Sequence, residues 1–326
     1  SNVKNGKFSI GRFMRKNVIL LLLIAMIIVF SIAQPKFFTV TNLMNIYNQN
    51  ASLMLSACGL AMVMISGGID LSIGYMASLC GIVAAMLMKN MNVNFIVSII
   101  AAILVGTLCG ALNGILSNKL KIHTMIVTLA TMTLFQGLSY IISQSKSFSS
   151  LPAAFKFIGQ GYLGNLPVSI FALIAIVAVV SFILNKTHYG RYVYAIGGNP
   201  DAAHLAGINV ERVRLRTFAL NGALVGLAAV LLISRSGSAS SAMGTSLQFD
   251  SITACILGGV SFTGGSGKVS NAVLGVLCLG VLSNGMQLIG WGIYVQYVVK
   301  AILLVIAIAF DMYTKNKVLA DDAANG

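Results

Sequence analysis

Apolar residues in this chain gather in long runs rather than alternating, and most runs are about the ~20 residues an α-helix needs to cross a bilayer core. They fall at Val18–Ala33, Ile46–Ile65, Leu71–Met88, Val93–Ser117, Met125–Ser143, Leu166–Leu184, Thr217–Ile233, Ala272–Leu288 and Ile293–Phe310. A shorter run lies at Ser251–Val260. Counting it as a short or broken span predicts an all-α polytopic membrane protein of about ten transmembrane helices, one domain over 1–326. The first run follows basic residues and ends in Ser31-Ile32-Ala33, which imitates a signal-peptidase site. A retained first span gives the consistent topology and is the expectation.

Glycine pairs interrupt the apolar pattern twice, at Gly67-Gly68 and at Gly258-Gly259. Irregular backbone at membrane depth is tolerated only against protein or a water-lined cavity, so both pairs predict broken helices. Ser66-Gly67-Gly68-Ile69-Asp70-Leu71-Ser72 echoes Leu257-Gly258-Gly259-Val260-Ser261-Phe262-Thr263 in its spacing of glycines and hydroxyls. A second echo links Gly106–Cys109 and Asn113-Gly114 with Gly275–Cys278 and Asn284-Gly285. With its helices running in opposite directions, it suggests an inverted repeat, as in many transporters.

Few polar residues lie inside the runs. Asp70 follows the first glycine pair and is placed to cap the helix after it, through Ser72 or the following amides; direct handling of cargo or protons is the alternative. Asp250 stands before Ser251–Val260 in the same way and takes the same reading. Asp311 ends the last run, where the helix dipole disfavours an anion, so Lys315 one turn on is its expected partner. Thr124, Thr128, Thr131 and Phe135 recur at helical spacing and share one face. That face could line a path for a polyol, or could pack spans closely and bond backbone carbonyls. Neutral amides at Asn48, Asn50 and Gln287 suit neutral, hydroxylated cargo. The candidate path is therefore Asn48, Asn50, Thr128, Thr131, Phe135 and Gln287, with weak contacts that let cargo pass.

The chain is 57% hydrophobic and only 9% charged, far below the quarter usual in soluble domains. Its net charge of +14 would suggest nucleic acid in a soluble chain. Here, however, the cations sit between the runs, where they set topology. Only Lys36, Lys89, Lys146, Lys156 and Arg235 fall on one face; Lys300 lies inside the last run, and the rest of the 21 fall on the other face. That bias places both termini on the cytoplasmic side of the membrane. The five cysteines lie within or beside apolar runs without paired spacing and read as packing residues. His123, His188 and His204 fall in loops without metal spacing. Gly267-Lys268 is not a phosphate loop, because Val269 replaces the required hydroxyl and Phe262 the first glycine. No enzyme motif is present, and no cofactor or metal is expected on the chain.

The polar, basic stretch 185–216 carries a short helix written locally in its residues. Asn199 can cap it, Pro200 suits its first position, Asp201 favours its positive end and Gly207 can close it left-handed, around Ala202, Ala203 and His204. A helix of about two turns cannot span anything, so it reads as a docking knob for a soluble partner.

At these residues the sequence resembles the permease family of the ribose, galactoside and xylose class of bacterial ATP-binding-cassette (ABC) importers. The resemblance rests on the two glycine-break stretches, on Ala195–Ala203, on Gly207–Val210 and on the tail from Tyr297 to Asp311, and covers roughly Asn42 to Asp311. Asp201-Ala202-Ala203-x-x-x-Gly207 is similar to the E-A-A-x-x-x-G coupling motif, with Asp in place of Glu. The resemblance implies a permease paired with a second copy as homodimer or pseudo-dimer. It also implies ABC ATPase subunits, which bind ATP and Mg, on the cytoplasmic face, and a periplasmic or lipid-anchored sugar-binding protein delivering cargo. A related permease for amino acids or nucleosides and an ion-coupled carrier are the alternatives.

Overall fold

The computed structural model describes residues 18–325, with side chains described through Tyr313. Thirteen helices follow in order: α1 (Val18–Ala33), α2 (Val40–Ile65), α3 (Ile73–Asn90), α4 (Phe95–Leu120), α5 (Thr124–Ser143), α6 (Ala153–Gln160), α7 (Val168–Lys186), α8 (His188–Gly198), α9 (Pro200–Leu205), α10 (Val210–Ser236), α11 (Thr245–Leu257), α12 (Val269–Leu288) and α13 (Ile293–Asn325). Among the described residues the one sheet is an antiparallel pair, β1 (Tyr162–Leu163) and β2 (Leu166–Pro167). The fold is thus all-α and polytopic. Among the described residues seven helices, α3, α4, α5, α7, α10, α12 and α13, are long and apolar enough to cross a membrane. Lys4, Lys7, Arg12, Arg15 and Lys16, expected on the cytoplasmic face, lie outside the described residues, as do the side chains of Lys315 and Lys317.

Polar caps carry two helices beyond their apolar runs. Thr39 accepts the Asn42 N–H, so α2 begins at Val40 rather than at Ile46. Its amide-rich first half is tied down where Asn42 and Asn284 of α12 exchange hydrogen bonds of 2.9 and 3.0 Å. Asn209 accepts the Arg212 N–H at 2.8 Å and starts α10 seven residues before its apolar run, through a turn bearing Glu211 and Arg214.

Two helices, α4 and the mostly buried α10, form an antiparallel pair of unusually close approach. Ala102, Gly106 and Gly110 on α4 face Gly226, Gly222 and Phe218 on α10. A Cβ added to Gly106 would strike the carbonyl of Gly222, and one added to Gly222 would strike that of Gly106. Small residues four apart let backbones approach in this way, since dispersion and polar contacts, not hydrophobicity, join helices in lipid. Around the pair, α2 and α3 pack on α10, α5 on α3 and α4, α12 on α2 and α11, α7 on α2, and α13 on α11. α10 is mostly buried and α13 lies at the periphery.

Cys255 contacts the Ala57 carbonyl at 3.4 Å, and the Gly265 N–H donates to the Ile65 carbonyl at 2.9 Å, so α11 descends beside α2 in the same direction. The glycine breaks therefore lie side by side at one end of the molecule, the base. They are not mates in an inverted repeat.

Enlarging Gly222 to Leu should force α4 and α10 apart, and overpacking of this kind costs about 1–3 kcal/mol or more. The expected result is a sharp loss of monodisperse protein in size-exclusion profiles. Gly137→Ala, where a Cβ meets nothing within 4 Å, should behave as the parent.

Candidate functional site

Three features gather at the base: the two helix breaks and the short helix α9. The first break opens with a left-handed closure of α2. Gly67 (φ +82°) donates to the Met64 carbonyl and Gly68 to that of Val63, a Schellman arrangement that satisfies the last carbonyls of the helix. The residues that follow have no ladder partner, and α5 supplies one. Thr124 Oγ1 accepts the Ile69 N–H at 3.0 Å, while Thr128 Oγ1 accepts the Leu71 N–H at 3.0 Å and donates to the Ile69 carbonyl at 3.2 Å.

Asp70 lies fully buried at the middle of this segment. Its Oδ1 accepts the Ser72 N–H at 2.9 Å and the Ser72 hydroxyl at 2.6 Å, and its Oδ2 accepts Asn221 Nδ2 of α10 at 2.8 Å. Asn113 of α4 donates to Ser72 Oγ at 2.9 Å and reaches both carboxylate oxygens at 3.4 and 3.5 Å. Thr131 closes the network by donating to Asn113 Oδ1 at 2.6 Å. Ser72, not Asp70, is the N-cap of α3, so the aspartate organises the residue that begins the helix instead of the first-turn amides.

The second break repeats the device. Gly258 ends α11, Gly259 (φ +74°) donates to the Ile256 carbonyl, and Val260 donates to that of Cys255. The loop after it is held from two sides: the Phe262 N–H donates to Asp311 Oδ2 at 3.1 Å, and the Tyr194 hydroxyl donates to the Gly267 carbonyl at 2.8 Å. Asp311 thus serves the loop. On α8, burial raises the pKa of both Tyr189 and Tyr194 above the usual tyrosine value, so both stay neutral donors at physiological pH.

Asp250 corrects the sequence reading. α11 already begins at Thr245, so Asp250 caps nothing; it lies within the helix and pairs with Lys300 of α13 at 2.8 Å. Each side chain keeps about a fifth of its surface exposed, and the ion pair neutralises two charges at the level of an apolar helix.

α9 forms as its residues dictate. Asn199 Oδ1 accepts the N–H groups of Asp201 at 3.0 Å and Ala202 at 2.9 Å, and Pro200 opens the helix. Gly207 (φ +83°) and Ile208 close it by donating to the carbonyls of His204 and Ala203. Ala203 faces the body of the protein and is buried, which removes it from any docking face. Asp201, Ala202, His204, Leu205 and Ala206 face outward, and Leu205 is 87% exposed. A large apolar side chain held out on a doubly capped turn has no packing role among the described residues; it was missed because one leucine in an apolar sequence carries no signal.

The candidate path residues do not converge. Thr128, Thr131 and Phe135 are buried on α5, the two threonines bonded into the first break. Asn48 donates to the Gly159 carbonyl and accepts from Ser169, and Asn50 bonds its own helix at Ile46. Gln287 is exposed on α12. Asn113, which the network needs, had shown only as part of a sequence echo.

Two measurements follow from these contacts. Thr131→Val leaves Asn113 Oδ1 without its donor in a buried site, a loss of about 1–3 kcal/mol. The melting temperature of the purified protein should fall while uptake per folded molecule is kept; loss of uptake at unchanged stability would place Thr131 on the cargo path. Lys300→Met should destabilise by about 3–5 kcal/mol because it strands Asp250, and adding Asp250→Leu should restore most of that, since paired removal is far milder. A double variant no more stable than the single one would refute the pairing.

Comparison with known proteins places the chain in a family. Residues 42–308 match the family described as branched-chain amino acid transport system, permease component. The chain is 35% identical over 320 residues to the ribose import permease protein of Haemophilus influenzae, covering 97% of this chain and 99% of the relative. It is 38% identical over 292 residues to the ribose import permease protein of Bacillus subtilis, covering 89% and 90%. It is also 36% identical over 313 residues to the L-arabinose transport system permease protein of Escherichia coli, covering 96% and 95%. No solved structure matches the chain. With the family model spanning most of the sequence, and relatives matched nearly end to end, the chain belongs to the family of permease components that ABC importers carry in the membrane.

Proposed function

We propose that this chain is the membrane-spanning subunit of an ABC importer for a monosaccharide of the ribose, galactose or xylose type. Two copies, identical or paralogous, form the pathway in the bacterial inner membrane. ABC ATPase subunits, which hold ATP and Mg, dock on α9 from the cytoplasm, and a periplasmic or lipid-anchored sugar-binding protein delivers cargo at the opposite face. Ten crossings, with α11 and the segment leading into it forming one, put both termini in the cytoplasm. The observation that carries this reading is α9 itself, a helix capped at both ends that holds Leu205 outward. The relatives named for ribose and arabinose support the sugar.

The path lies where polar groups face outward at membrane depth. On α2, Thr41, Asn45 and Gln49 are exposed at intervals of four. Because α11 descends beside α2, counting back at equal rise from the Cys255–Ala57 contact sets its first turn roughly level with Tyr47 and Gln49. Thr245, Ser246 and Phe249 are exposed there. Lipid tails are poor neighbours for such groups, so a water-lined passage between two copies is their natural setting. Gln287 belongs with this face. Asn48 and Asn50 support α2 behind it through their own hydrogen bonds, whereas Thr128 and Thr131 serve the first break. A few neutral hydrogen bonds, each worth about 0.5–1.5 kcal/mol net, pass a sugar without trapping it.

Docking is tested at Leu205. Leu205→Asp should leave the permease folded and abolish co-purification of the ATPase together with uptake. Leu205→Cys, in a background without native cysteines, should react with an impermeant maleimide only from the cytoplasmic side. Full ATPase binding by Leu205→Asp, or labelling from outside, would refute the assignment.

A further inference from the structure

We infer that the contact of Gly197 with the end of α2 and with the loop after α11 is the positioning element through which α9 sets the attitude of both interrupted helices; this rests on α9 being the docking site for the ATPase. Gly197 is the second-last residue of α8, and only Gly198 separates it from Asn199, the cap of α9. α9 is therefore carried on two residues without side chains.

These glycines sit where the breaks meet. A Cβ on Gly197 would run into the Ile65 carbonyl oxygen, at the end of α2, and would lie 2.7 Å from the Gly265 nitrogen. A Cβ on Gly264 would lie 2.7 Å from the Gly67 Cα and 2.9 Å from the Gly197 carbonyl oxygen, and one on Gly265 would lie 2.9 Å from the Gly198 Cα. The Gly265 N–H donates to Ile65 across the same point at 2.9 Å. Three chain segments thus touch backbone to backbone.

That kind of contact transmits displacement in a way that side chains do not. A side chain absorbs a small shift by changing rotamer, whereas close-packed peptide groups have no such freedom. A push on α9 reaches the Gly67 turn, and beyond it the Asp70 network that joins α4, α5 and α10. The same push reaches the loop after α11, which Tyr194 and Asp311 hold from either side. Of the two helices leading to the proposed passage, α2 ends at this junction, and α11 is joined to it by the loop that carries Gly264 and Gly265.

Gly198 provides the contrast. It is adjacent in sequence, yet a Cβ there meets nothing within 4 Å. Gly197→Ala should consequently disturb the junction while Gly198→Ala does not.

The test uses the full complex of permease, ATPase and binding protein in lipid nanodiscs and proteoliposomes. In Gly197→Ala, ATP hydrolysis should persist while sugar moved per ATP falls about tenfold, within the usual range of coupling effects; Gly198→Ala should match the parent in both. Hydrogen exchange on the unmodified complex gives a readout independent of any variant. Addition of ATP should change exchange in 195–207 together with 63–70 and 258–267. Normal coupling in Gly197→Ala overturns the inference, as does a change confined to 195–207. If Gly197→Ala fails to assemble, the exchange result alone decides. A complex in which the ATPase leaves 195–207 unprotected overturns the docking reading itself, and is recognisable because no change then begins at α9.

Discussion

A helix that stops inside a membrane protein leaves peptide groups that water cannot reach, and this structure is arranged around satisfying them. Each unmet group would cost energy comparable to a lost hydrogen bond, so the interruption between α2 and α3 exists only because other helices supply partners. Hydroxyls on α5 replace the missing ladder at Ile69 and Leu71. Asp70 gathers Ser72, Asn113 and Asn221 around one buried carboxylate. A buried carboxyl group with several directed donors is tolerable where a lone one is not. The break is thus a junction that specifies how α3, α4, α5 and α10 are placed.

The close approach of α4 and α10 makes the junction possible. Asn113 and Asn221 each stand next to a glycine of the contact surface, Gly114 and Gly222. Wider spacing between these helices would draw the two amides away from the carboxylate they share. Packing and polar satisfaction therefore depend on each other, which is why a change of volume at Gly222 and a lost hydroxyl at Thr131 act on one structure from different sides.

What the sequence disclosed follows from how local each cause is. The α9 caps were legible because Asn199, Pro200 and Gly207 act within a few residues of themselves, and both glycine breaks because a left-handed turn is a property of the glycine. The pairing of Asp250 was hidden because Lys300 lies fifty positions away, and an aspartate before an apolar run looks like a cap until the true start of the helix is known. The threonine face showed its periodicity but not its neighbour: nothing in its spacing distinguishes a face turned to backbone from one turned to cargo. Ala203 was read as part of the docking face because a six-residue helix is too short to reveal which side rests on the protein.

The same physics divides the molecule into a fixed part and an open part. Polar groups at the breaks are engaged with protein partners, which commits them to structure and makes them unsuitable for a passing solute. Thr41, Asn45, Gln49 and Ser246 instead stand on exposed faces, open to exchange water for another hydroxylated partner at little net cost. On the proposed reading, that exchange is what a permease requires of its path when selection has been made elsewhere, because weak and replaceable contacts keep cargo moving. A charged lining would bind or exclude more strongly. Of the aspartates within the helical body, Asp70 is enclosed by donors, Asp250 is neutralised by Lys300 and Asp311 is bound to the loop. On the proposed reading these carboxylates serve structure, and the push that moves cargo enters at α9, where the ATPase docks.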